Sequence, residues 1–83
     1  MTDVRFRISA QAHSGLLCRI IGLFAQLGLP APAMQVKITG NSMEVEAILA
    51  HFGDALVPVV ARKMAGFVGV EAVVLEVEQL EMA

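Results

Sequence analysis

Three stretches of the chain alternate apolar and polar residues with period two. Val4, Phe6 and Ile8 are interleaved with Arg5, Arg7 and Ser9; Met34, Val36 and Ile38 with Gln35, Lys37 and Thr39; and Met43, Val45, Ala47 and Leu49 with Glu44 and Glu46. Such alternation predicts strands with one face buried. Val70–Val77 reads as a fourth strand, with Glu76 and Glu78 fixing its outward parity. After a break at Ala10–His13 the period changes. Leu17, Ile20, Ile21, Phe24 and Leu27 recur at three- and four-residue spacing opposite Arg19 and Gln26, which predicts an amphipathic helix. Ser14 is placed to cap its start and Gly28 to end it in a left-handed turn. Gly22 inside it costs about 1 kcal/mol relative to alanine and predicts close packing against a neighbouring element. A second helix holds Leu56, Val57, Val60 and Met64, with Asp54 as its cap and Pro58 confined to the first turn. Arg62 and Lys63 suit its C-terminal dipole, and Gly66 suits its stop.

The connections fix the topology. Pro30 and Pro32 hold an extended linker, and a two-residue loop at Gly40-Asn41 pairs Ile38 with Met43, Val36 with Val45 and Lys37 with Glu44. A loop one residue longer would set apolar against charged side chains. The order βαββαβ with right-handed crossovers predicts an α+β, ferredoxin-like sandwich. It is a four-stranded antiparallel sheet with two helices on one face and strands one and three central. One domain spans residues 1–83, with a core at 4–77 and a tail at 78–83. On the open face Arg5 and Arg7 would lie beside Glu44 and Glu46, an opposite-charge cross-strand pairing that also fits a merely solvated face.

Composition adds a partner to this picture. A chain of 83 residues buries only about 63% of its surface, roughly 4,800 Å² remaining of roughly 12,800 Å². Yet 57% of its residues are apolar and only 17% charged, so part of the apolar material is expected to face another chain. The second strand is the expected edge: Met34, Gln35, Val36 and Lys37 carry a single charge, and a homodimer through this edge, or through Gly22 of the first helix, is predicted. With a net charge of −2 and phenylalanine as the only aromatic residue, neither a phosphate-binding face nor a base-stacking platform is expected, hence no nucleic-acid partner. No apolar run approaches the ~20 residues that span a bilayer, and the expected location is cytoplasmic.

Chemistry-bearing constellations are sparse. The single cysteine, Cys18, reads as a small packing residue and His51 as a strand-end residue. No nucleophile–base pair, carboxylate pair or metal-ligand spacing stands out, so a non-enzyme without metal or cofactor is expected. The loop from Ala12 to Leu16 is the place that invites a ligand. It joins a strand to a helix N-terminus, whose unpaired N–H groups attract a carboxylate. Gly15 would admit a ligand to the backbone, and His13 would add a hydrogen bond; equally, Ser14 would merely cap the helix and Gly15 merely ease the turn.

The run Ser14-Gly15-Leu16-Leu17-Cys18-Arg19-Ile20-Ile21-Gly22-Leu23-Phe24, followed by Gly28, resembles the first-helix signature of ACT domains. Within them it is most similar to the regulatory (small) subunit of acetolactate synthase, in its single-domain form. The resemblance implies a non-catalytic domain that dimerises and acts on a large catalytic subunit in branched-chain amino-acid biosynthesis. Thiamine diphosphate, FAD and Mg²⁺ would belong to that subunit. It also implies that a small effector, usually an amino acid, binds between His13, Ser14, Gly15 and Leu16 of one copy and Leu29, Pro30 and Ala31 of the other. Ala12 replaces the asparagine of valine-binding members and Pro30-Ala31 replaces their Asn-Ile pair, which implies a weak response to valine. The alternative is a free-standing ACT sensor that binds an amino acid or other small effector at the dimer interface and regulates another protein.

Overall fold

A computed structural model of the protein describes residues 2–50 and 56–79. The elements are β1 (Thr2–Gln11), α1 (Ser14–Gln26), β2 (Ala33–Thr39), β3 (Ser42–Leu49), α2 (Val57–Ala65) and β4 (Val70–Gln79). The strands form one antiparallel sheet in the order β2-β3-β1-β4. This is the βαββαβ sandwich that the alternation predicts. The hairpin register is also as expected: Val36 faces Val45, Lys37 faces Glu44 and Ile38 faces Met43 around Gly40, whose φ of +59° suits a tight hairpin turn.

The core follows from parity. Val4, Phe6, Ile8 and Ala10 of β1 and Met43, Val45, Ala47 and Leu49 of β3 all point to the helix side and are buried. Leu16, Ile20, Leu23 and Phe24 of α1 and Val57, Val60 and Met64 of α2 close over them. The stripe of α1 is therefore rotated from the expected one. Leu16 and Leu23 enter the core, Leu17 is half-buried, and Ile21 faces solvent. Cys18 is exposed as well, so it is not the packing residue that its type implies.

The ends of the elements also differ from the sequence reading. His13, not Ser14, caps α1: its Nδ1 accepts the Gly15 N–H at 3.1 Å, and Ser14 is the first helical residue. At the other end Leu29 N–H donates to Phe24 O at 2.9 Å and Gly28 N–H to Ala25 O at 3.1 Å, with Gly28 at φ +69°. This double closure satisfies the last carbonyls and explains the glycine. β1 continues through Ala10 and Gln11, and β4 through residues 78 and 79, because each has a neighbour to complete its ladder. Pro58 sits in the first turn of α2, where its missing N–H leaves no helical bond unmade. Asp54 and His51 lie outside the described residues.

Gly22 does not serve close packing within the chain. A Cβ there would meet nothing within 4 Å, on the flank of α1 that shares a groove of about 460 Å³ between Cys18, Gln26 and Phe67. Gly22→Ala is therefore expected to stabilise the isolated chain by up to about 1 kcal/mol through helix propensity. Urea unfolding checks this, and a clear loss of stability or of self-association would show that another chain packs on the glycine.

Candidate functional site

The β1–α1 loop is held from two sides. Gln11 N–H donates to the carbonyl of Gly69 at 2.9 Å, and Ala12 N–H donates to the carbonyl of Asn41 at 2.8 Å. The first bond ties the loop to the connection between α2 and β4, the second to the tip of the β2–β3 hairpin. His13 then leaves in an extended conformation, φ −143° and ψ 123°, and its carbonyl accepts the Leu17 N–H at 3.1 Å. These are three anchors for a loop of two residues between strand and helix.

Beside this loop lies a cavity of about 260 Å³ lined by Gln11, His13, Gly15, Leu16, Arg19 and Val68. Three of the residues expected from sequence, His13, Gly15 and Leu16, are brought together here. Because His13 Nδ1 accepts the Gly15 N–H, the neutral ring carries its proton on Nε2, as a donor. A Cβ on Gly15 would lie 3.1 Å from His13 Cε1 and 3.2 Å from Nδ1, so the glycine makes room for the capping ring. Arg19 is exposed and makes no ion pair with the described residues, one helical turn beyond Gly15 on the same flank. A lining that combines the hydrogen-bonding side chains of Gln11, His13 and Arg19 with Leu16 and Val68 suits a small, partly apolar molecule bearing a carboxylate.

Leu29, Pro30 and Ala31 are not part of this cavity. They follow the far end of α1, whose 13 residues span about 20 Å, so a single copy does not bring them to His13–Leu16. Gln11, Arg19 and Val68 were not singled out from sequence. Arg19 stood only as the polar side of a helix, although its spacing of four from Gly15 was a usable signal. Gln11 and Val68 meet only through the fold, and nothing local marks them.

The open sheet face carries a second, shallower cavity of about 570 Å³, lined by Arg7, Gln35, Lys37, Glu44 and Glu46 among others. Glu46 lies 3.8 Å from Arg5 Nε and 3.6 Å from Arg7 Nε, and Glu76 lies 3.0 Å from Arg7 Nε. The Ser9 hydroxyl donates to Glu44, at 2.9 and 3.1 Å from its two oxygens. The expected Arg–Glu46 pairing is thus present, while Glu44 takes the serine instead of an arginine. Lys37 faces Glu44 in register without forming an ion pair. Exposed pairs of this kind contribute about 0–1 kcal/mol each, and they describe a solvated face. Among the described residues no group of three His, Cys, Asp or Glu side chains is placed to hold a metal ion, and no helix is long and apolar enough to cross a membrane.

Residues 1–82 match the family model of the ACT-like domain. No curated protein matches the chain. Among solved structures it is similar to the ACT domain from GTP pyrophosphokinase of Chlorobium tepidum, with a TM-score of 0.76 and 12% identity over 89% of this chain and 96% of that one. It is also similar to the C-terminal domain of the MgtC protein from Mycobacterium tuberculosis, with a TM-score of 0.73 and 11% identity over 94% of this chain and 88% of that one. At these identities the likeness is one of fold.

Proposed function

Since the chain belongs to the ACT-like domain family, we propose that it is a non-catalytic, homodimeric regulatory module that binds a small carboxylate effector beside its first helix and acts on a separate catalytic protein. The observation that carries this reading is the anchored β1–α1 loop with its adjoining cavity, whose lining joins His13 and Arg19 to Leu16 and Val68. An amino acid has the matching chemistry, a carboxylate joined to a small side chain. The partner we infer is an acetolactate-synthase-type large subunit, and the support for it is the Ser14–Phe24 run rather than the fold. A second reading is a free-standing sensor of a small effector, which the same cavity beside His13 and Arg19 would serve equally well.

The test mixes the purified chain with the large subunit of its own organism and assays the rate with and without valine, leucine and isoleucine. The expected result is complex formation and a raised rate, with a weak valine response. Ala12 and Pro30 offer no side-chain amide to an amino acid. Each buried hydrogen bond lost removes about 1–3 kcal/mol, or roughly five- to over a hundredfold in affinity. No complex, together with a thermal shift by an amino acid, would leave the sensor reading. Neither complex nor shift would overturn both.

A further inference from the structure

We propose that the groove between α1 and the connection that follows α2 docks an acidic amphipathic helix of the protein that this chain regulates. This rests on the regulatory reading above and adds the surface and the chemistry of the partner. The groove, of about 460 Å³, is lined by Cys18, Arg19, Gly22, Gln26 and Phe67. Gly22 leaves it open, because a Cβ there would meet no atom within 4 Å. Cys18 is exposed and Val68, next to Phe67, is 87% exposed, although both residue types are usually buried. From Cys18 to Gln26 the groove follows α1 for about 12 Å, a little over two turns of a helix laid along it. Side chains as short as these let two helix axes approach to about 8 Å, the near end of the usual range.

Charge selects the partner. Every acidic residue on a described element lies on a strand: Asp3, Glu44, Glu46, Glu71, Glu76 and Glu78. The two helices carry Arg19, Arg62 and Lys63, all exposed, and no acidic residue. A chain of net charge −2 thus has a cationic helix layer. None of these three cations forms an ion pair with the described residues. They also gather at one end. β1 and β2 are parallel to each other, as are β3 and β4, and the two pairs run in opposite senses, so the helices that connect them are antiparallel. The last turn of α2, with Arg62 and Lys63, therefore lies beside the first half of α1, with Arg19, and Phe67 follows it into the groove. The C-terminus of α2 carries about −0.5 of a charge, which two cations more than offset. An acidic amphipathic helix fits this surface, its apolar stripe in the groove and its carboxylates on the guanidinium and ammonium groups. A second copy of the chain fits it badly, because the helix layers would set cations against cations.

Cys18 is the chain's single cysteine and lines the groove, so its rate of alkylation by iodoacetamide reads occupancy. Three probes are compared: a model helix of about 18 residues with leucine and alanine on one face and glutamate elsewhere, the same helix with lysine for glutamate, and polyglutamate. The glutamate helix at saturation is expected to slow the alkylation at least about tenfold, and the other two probes to leave it unchanged. Gly22→Leu, which fills the groove from a site where a Cβ meets no neighbour, and Lys63→Glu are each expected to weaken that binding at least about tenfold, with an unchanged circular dichroism spectrum. The same two variants are expected to weaken a complex with the large subunit of the chain's own organism. Failure of the glutamate helix to protect Cys18, or equal protection by either other probe, would overturn the proposal. Protection that rises with the chain's own concentration would assign the groove to a second copy and overturn it as well. A large-subunit complex that tolerates both variants would overturn the docking surface and leave the regulatory reading in place. Protection by the glutamate helix without any large-subunit complex would support the surface and refute only that choice of partner.

Discussion

Phe24→Ala is expected to destabilise the chain by about 3–5 kcal/mol. Phe24 is buried against the sheet, and its ring meets Phe6 edge to face, with centroids 6.1 Å apart and planes at 70°. The truncation removes that contact and leaves a cavity between α1 and β1, the longest core strand, which cannot collapse without breaking its ladders to β3 and β4. A domain of 83 residues has about 4–12 kcal/mol of total stability, so this one substitution removes a large part of it. Urea denaturation should show a much lower midpoint with the slope preserved. Ile21→Ala, three residues earlier on the same helix, is expected to cost under about 1 kcal/mol in the isolated chain because Ile21 faces solvent. Equal losses at the two positions would show that the helix is rotated from the face described.

That rotation marks the limit of what periodicity carries. Leu16, Leu17, Ile20, Ile21, Leu23, Phe24 and Leu27 spread over an arc of about 160° at 100° per residue, wider than a core-facing stripe needs, so the spacing alone admits more than one stripe, and the sheet beneath selects one. The strands were legible for the opposite reason. With period two only two faces exist, and Arg5, Arg7, Glu44 and Glu46 permit only one of them to be buried. The hairpin was fixed by the same parity together with Gly40-Asn41. The helix cap was misplaced because serine is the stronger cap by type, whereas the imidazole of His13 reached the Gly15 N–H one position earlier. The candidate site was half legible. Its loop residues are contiguous in sequence, but the Gly69 and Asn41 carbonyls that anchor them come from two remote turns and have no local signature.

Of these two anchors Gly69 is the one packed against the loop's own side chains, and Gly69→Val is expected to cost about 2–6 kcal/mol. Two effects add there. The backbone stands at φ +100°, a region closed to β-branched residues, with a strain of about 1–3 kcal/mol. A Cβ would also lie 3.0 Å from Leu16 Cδ2 and 3.6 Å from Gln11 Oε1, and the valine methyl groups would press further on the same atoms, an overpacking of about 1–3 kcal/mol. Gly40 separates the two effects, because it too has a positive φ, +59°, but a Cβ there meets nothing within 4 Å. The same substitution at Gly40 therefore reads strain without crowding, and the excess at Gly69 reads the contact with Leu16 together with its less favourable backbone angle. The consequence for function follows from position. Leu16 is a wall of the cavity, and the Gly69 carbonyl holds the Gln11 N–H, so displacing either loosens the loop that carries His13. Paired urea titrations of Gly69→Val and Gly40→Val measure both terms. If the two cost the same, Leu16 yields freely and Gly69 serves its backbone angle alone.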